Sequence, residues 1–326
     1  MSSVASGKQG DRPEREGGES IITVIIAFVA NLLIAVAKTG AAIITGSASM
    51  VAEAAHSWAD AGNEVFLIIA ERKSDRPSDE RRPLGYGKEA YVWSLFAAVG
   101  LLTAGAGVSI VHGIQELGAE SEPENYTINY IVLGIAFVLE GISFLQALRQ
   151  TRGRARAVGL HPLTFISRTS NPTLRAVFLE DSAALLGLLL AGGGVALHQV
   201  TGNAFWDALG SILVGVMLAL VAIFLVDRNR AFLVGEAIGG PIRNRVLQAV
   251  LDHPEVERVT YLHLEFVGPE RLFVVASVDL TGDSVESDLA VRLEQVEEAI
   301  RGHDLIETAV LSLSLPHEES LVPSTS

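Results

Sequence analysis

The chain has 326 residues, 49% of them hydrophobic and 19% charged, and a mean hydropathy of +0.38; that balance excludes an ordinary soluble domain of this length. A formal net charge of −14, concentrated toward the C-terminal part, argues against a nucleic-acid partner. Zero cysteine excludes disulfides and thiolate metal sites, leaving imidazole nitrogen and oxygen as metal donors.

In chain order, residues 1–19 carry charges, glycine and proline without an apolar core, and are expected to be a flexible tail and not a cleaved signal peptide. Residues 20–238 then hold six apolar stretches long enough to cross a bilayer: 21–44, 49–70, 90–117, 128–148, 174–197 and 206–226. Lysine and arginine crowd the links after the second and fourth stretches, at Arg72, Lys73, Arg76, Arg81, Arg82 and Lys88 and again at Arg149, Arg152, Arg154, Arg156 and Arg168. The links after the first, third and fifth stretches contain neither residue. Short basic loops stay on the cytoplasmic side, so both termini are expected inside.

The second stretch is interrupted by His56-Ser57-Trp58-Ala59-Asp60, with Asn63 and Glu64 behind. Ionisable groups at mid-bilayer cost roughly 2.5 to 3.5 kcal/mol each on insertion scales, so they persist mainly where they line a polar pathway or bind something. His56 and Asp60, four residues apart, share one helix face and offer a divalent metal a nitrogen and an oxygen. The fifth stretch brings Glu180 and Asp181 to a similar depth. His56, Asp60 and Asp181 would then form an N,O,O set, with Glu180 or water as the fourth ligand. Competing readings stand beside this one. His56 also suits a hydrogen-bonded buried histidine. Glu180 also suits an ion pair with Arg175, while Asn31, Lys38 and Glu140 suit either the lining of the pathway or interhelical hydrogen bonds and snorkelling. His263, His303 and His317 lack a ligand spacing and read as ordinary surface or strand positions.

From 239 to 316 the pattern changes to α-β-β-α-β: a helix at 242–251, strands at 256–266 and 272–280, a helix at 285–301 and a strand at 307–315. Val274, Ala276, Val278 and Leu280 alternate, and Leu289, Leu293, Val296 and Ile300 recur at helical spacing, as elements buried on one face do. Gly268-Pro269 marks the hairpin turn. The acidic, serine-rich residues 317–326 are expected to be a disordered tail.

Several strings together resemble the cation diffusion facilitator family over nearly the whole chain. They are Gly46-Ser47-Ala48-Ser49 leading through Glu53 to His56 and Asp60, Pro83-Leu84-Gly85-Tyr86-Gly87-Lys88, and Leu179-Glu180-Asp181-Ser182-Ala183-Ala184. The resemblance implies a multi-pass α-helical membrane protein of six transmembrane helices with a C-terminal α+β ferredoxin-like cytoplasmic domain, working as a homodimeric metal/proton antiporter. It also suggests a charge interlock between Lys88 and Glu236. The chain departs from the family template at Val177, four residues before Asp181, where a fourth ligand belongs. It departs again at Asp79, Arg82 and Tyr86 in the second link and at Ser312 and Ser314 in the last strand, so no metal is expected at those places.

The expected function is divalent cation efflux by alternating access, with zinc as the first cargo and manganese, cobalt or ferrous iron as alternatives. No resident cofactor and no enzymatic reaction are expected, and no Gly-x-x-x-x-Gly-Lys-Ser/Thr phosphate loop is present to drive transport by nucleotide. Metal binding to imidazole and carboxylate expels protons, which couples the two ions at one site. A transport-inactive metal sensor or scaffold of the same fold is the alternative, and an organic-cation transporter a third. The expected location is the plasma membrane of a bacterium.

Overall fold

The computed structural model of the chain describes residues 18–118, 126–236, 238, 240–303 and 305–323. The expected N-terminal tail, apart from its last two residues, and the last three residues of the chain lie outside them. Helix α1 spans Gly18–Thr45 and α2 spans Ala48–Ser74, with Ser47 capping α2 by accepting from the Met50 backbone N–H at 3.2 Å. The third stretch is α3 (Glu89–Gly100), a π-helical turn (Leu101–Gly107) and α4 (Val108–Glu116). Helix α5 (Tyr126–Ala157) and the short α6 (Pro162–Arg168) follow, then α7 (Pro172–Thr201) and α8 (Phe205–Val234). Asn171 caps α7, accepting from Leu174 N–H at 3.0 Å, and Pro172 fits the first turn, where its missing N–H costs nothing.

Four of these, Glu89–Glu116, Tyr126–Ala157, Pro172–Thr201 and Phe205–Val234, are by themselves long and apolar enough to cross a membrane. Helix α2 has the length, 27 residues, but carries Glu53, Asp60 and Glu64 inside its apolar part. Leu186, Leu189, Leu220 and Ile223 stand exposed along α7 and α8, which suits lipid and not water. Small residues let the helices approach closely: a Cβ on Gly113 would meet Ile212 at 2.7 Å, and one on Gly215 would meet Ile110 at 2.6 Å.

The C-terminal elements are α9 (Gly240–Leu251), β1 (Val256–Gly268), β2 (Arg271–Leu280), α10 (Glu286–Arg301) and β3 (Ile306–Leu313). The sheet order is β1-β2-β3, antiparallel then parallel, as a split α-β-β-α-β unit requires. Val274, Ala276, Val278 and Leu280 face the helices and are buried with Val296 and Ile300. Tyr91 of α3 and Phe232 of α8 join the same core, stacked at 5.2 Å, with Phe266 edge-on to Phe232 at 5.5 Å. The bundle and the sheet module therefore share apolar packing.

Three expectations change. The arginine-rich stretch after the fourth span is largely helix, because α5 runs on to Ala157; arginine has good helix propensity and needs no membrane to continue the turn. The third span is interrupted by the π turn, where Thr103 Oγ bonds the Val99 carbonyl at 2.9 Å. Residues 317–323, expected as part of a disordered tail, lie along β1: Leu321 N–H donates to Val259 O at 2.7 Å and Thr260 Oγ1 to Glu318 Oε2 at 2.9 Å. The open edge of β1 supplies the unpaired groups that hold them.

Candidate metal centre

Helix α2 carries its polar groups as a stripe. Glu53, His56, Asp60, Asn63 and Glu64 fall within about 100° of arc and about 16 Å of length, at 100° and 1.5 Å per residue. Their partners come from the helices on either side. His56 Nε2 lies 3.3 Å from Asp60 Oδ2, the imidazole only 1% exposed. Asn31 of α1 donates to Glu64 Oε1 at 2.6 Å, and Lys38 of α1 reaches Glu53 Oε2 at 2.9 Å.

On α7 the two neighbouring acids part company. Glu180 is buried and accepts a short hydrogen bond from the Asn63 amide of α2. Asp181 turns toward α5, where Ser143 Oγ donates to its Oδ2 at 2.8 Å. The 100° step between consecutive helix residues separates the two side chains, and their hydrogen bonds go to different helices. Glu180 lies within electrostatic reach of His56, Asp60 and Asp181, and Asp181 of Asp60, Glu64 and Glu140. Thus the acid treated as the secondary ligand in the sequence reading is the one bonded across to α2.

Among the described residues, no group of three histidine or carboxylate side chains is arranged to hold a metal ion. The Asn63 amide occupies Oε2 of Glu180 and leaves its Oε1 free. The cluster is nevertheless rich in unsatisfied atoms: His56 Nε2, Asp60 Oδ1, Asn63 Oδ1, Glu64 Oε2 and Glu180 Oε1 are buried without a hydrogen-bond partner. Such groups are costly when left alone, and a cation drawn in among them would satisfy lone pairs that hydrogen bonds leave unused. A cavity of about 350 Å³ opens between the bundle and the sheet module, lined by Glu71, Asp75, Arg154, Asn171, Val177 and Arg271. Val177, on its wall, is one helical turn from Asp181 along α7.

Other residues singled out in the sequence have different occupations. Arg175 does not pair with Glu180. It donates to the backbone carbonyls of Ile166 and Thr169 and lies 5.1 Å above the Phe232 ring, pinning the α6–α7 turn. Lys88 pairs at 2.5 Å with Glu265 on β1 and not with Glu236, which binds Arg228. In the same link the Tyr86 hydroxyl donates to Asp79 at 2.6 Å and Arg82 pairs with Glu89 at 2.9 Å. Ser312 and Ser314 exchange hydrogen bonds with Ser277 and Thr260. His263, His303 and His317 are exposed. Asn63 was already marked in the sequence as part of the polar stretch, whereas Ser143 and the pairing of Glu53 with Lys38 were missed, although Glu53, Asp60 and Glu64 at i, i+7 and i+11 already traced one helix face.

A family model described as the cation efflux transmembrane domain matches residues 24–234. The chain belongs to the cation efflux, or cation diffusion facilitator, family. It is 34% identical over 321 residues to the metal tolerance protein C4 of Arabidopsis thaliana, covering 97% of this chain and 70% of that protein. It is 31% identical over 305 residues to the mitochondrial proton-coupled zinc antiporter SLC30A9 of Homo sapiens, covering 92% of this chain and 53% of that protein. A magnetosome protein, MamM of Magnetospirillum gryphiswaldense, is 25% identical over 261 residues, 75% of this chain and 72% of the relative. The chain thus spans about half the length of the zinc antiporters it matches. It is a membrane protein of the efflux family, with the helical bundle and sheet module described above.

Proposed function

We propose that the protein exports a divalent metal cation, zinc first, in exchange for protons, by alternating access to a site built from His56, Asp60, Glu180 and Asp181. The observation that carries this reading is the cluster of buried, partnerless nitrogen and oxygen atoms between α2 and α7. An imidazole with carboxylates suits zinc, and the relatives named as proton-coupled zinc antiporters support that cargo. Metal needs neutral imidazole and ionised carboxylates, so each ion bound releases protons and each proton competes with metal. An inward proton gradient then resets the site after the metal leaves.

The cavity beside Val177 serves as the cytoplasmic mouth in this reading, with both termini and the sheet module inside. The basic residues at Arg72, Lys73, Arg154 and Arg168 support that orientation. A homodimer belongs to the same proposal by family likeness, and chemical cross-linking in detergent tests it.

Zinc uptake into proteoliposomes decides the matter. Flux is expected from the wild type, falling at least about tenfold in Asp60→Ala and slowing when the proton gradient is dissipated. Unchanged flux in Asp60→Ala and Glu180→Ala would remove this site. The absence, among the described residues, of three side chains arranged around one point favours a second reading, a metal-sensing or scaffold protein of the same fold. That reading expects zinc binding without flux in the wild type.

A further inference from the structure

Among the described residues, the most deeply buried ion pair joins Lys38 of α1 to Glu53 of α2, at 2.9 Å with side chains 1% and 0% exposed. Only one of the two carboxylate oxygens is used. Glu53 Oε1 is buried without a hydrogen-bond partner and faces α7, where a Cβ on Gly187 would come within 2.7 Å of it. Any other residue at 187 would push the carboxylate away, so the glycine keeps Glu53 in the gap between α2 and α7.

The same face of α2 carries His56 and Asp60, and Asn63 further along it is bonded to Glu180 of α7. Glu53 stands one turn beyond His56, on the side away from the sheet module, and Gly187 stands about 9 Å beyond Asp181 along α7. In order along α2 from the sheet module, Glu53 follows Asp60 and His56. The ammonium of Lys38 already neutralises that carboxylate and lies within electrostatic reach of Asp60 and Glu140 as well. Burying such a pair is a poor route to stability, because the desolvation cost offsets most of the attraction.

We propose that Glu53 is a second station for the transported cation and that Lys38 is its tethered counter-ion. A divalent ion arriving at Glu53 displaces the ammonium from Oε2, and the return of the ammonium expels the ion toward the far end of the bundle. With Lys38 present the station is brief, since one carboxylate cannot balance an ammonium and a divalent ion together. Without Lys38 it becomes a trap. The inference rests on the ligand set proposed above.

Zinc calorimetry and proteoliposome flux on the full-length protein test it. Lys38→Met is expected to bind zinc about tenfold more tightly or to take up an additional ion, with lower KM and lower maximal flux. Lys38→Met/Glu53→Gln is expected to lose that gain. A merely structural pair predicts weaker binding or wild-type binding in Lys38→Met, and either result overturns the proposal. Should Lys38→Met melt below the wild type, zinc is expected to raise its melting temperature more than it raises that of the wild type; no such gain also overturns it. Asp60→Ala keeps the two readings apart. If it binds zinc as the wild type does, the ligand set falls; if it loses zinc while Lys38→Met binds as the wild type does, only the Glu53 station falls.

Discussion

The two adjacent acids of α7 differ in what they face, and their chemistry should differ accordingly. Glu180 is bonded to Asn63 on α2, while Asp181 is bonded to Ser143 on α5. Glu180→Gln is therefore expected to weaken zinc binding more than Asp181→Asn, by calorimetry in one buffer. For the wild type, zinc affinity is expected to fall as pH falls, because protons occupy the imidazole and the carboxylates; proton release is read from the heat difference between two buffers. Outside the membrane, the Tyr86 hydroxyl and then the Arg82 backbone N–H hold the Asp79 carboxyl below its ordinary range, and the same contact raises the Tyr86 phenol. A depressed carboxylate stabilises the fold above the ordinary carboxylate value and loses that contribution as pH falls through its folded value. Tyr86→Phe is expected to move Asp79 back up, a change that carbon NMR of labelled aspartate would register.

At the scale of elements, close approach between helices depends on residues that lack a side chain. A Cβ on Gly113 of α4 would come within 2.7 Å of Ile212 Cγ1 and 2.9 Å of the Ala208 carbonyl on α8. Backbone cannot yield as a flexible side chain can, so Gly113→Val is expected to lower stability by about 1–3 kcal/mol, measured as a reduced melting temperature in detergent. Helix α2 shows the opposite economy. Its polar stripe removes it from the set of strongly apolar helices, yet neighbours on α1, α7 and α8 bond many of the stripe and cap atoms. Asp207 at the start of α8, for example, accepts from the Ser47 hydroxyl and the Ser49 N–H at the N-terminus of α2.

In the whole molecule, the bundle and the sheet module are joined by two kinds of contact. One is apolar, Tyr91 and Phe232 with Phe266 inside the module core. The other is ionic: Arg154 with Glu270, Asp75 with Arg271, and Lys88 with Glu265 at a joint where Gly87 and Gly268 touch so closely that a Cβ on Gly87 would lie 2.4 Å from the Val267 carbonyl. The Lys88–Glu265 pair is about a third exposed on each side, which limits it to about 1 kcal/mol. Burial of Tyr91 is complete. Tyr91→Ala is expected to cost about 3 kcal/mol and Lys88→Ala no more than about 1 kcal/mol, compared by thermal unfolding of each variant.

The sequence by itself determined the apolar spans, the α-β-β-α-β order, the buried faces at Val274–Leu280 and Val296–Ile300, and the helix face shared by His56 and Asp60. These follow from periodicity, a property of neighbours along the chain. Only the tertiary structure decided that Glu180 bonds to α2 while Asp181 bonds to α5, that Lys38 pairs with Glu53, and that Lys88 finds Glu265 177 residues away. Each of those depends on how helices are rotated and which side chain fills the gap between them, and such rotations are fixed by packing across the bundle rather than by local spacing.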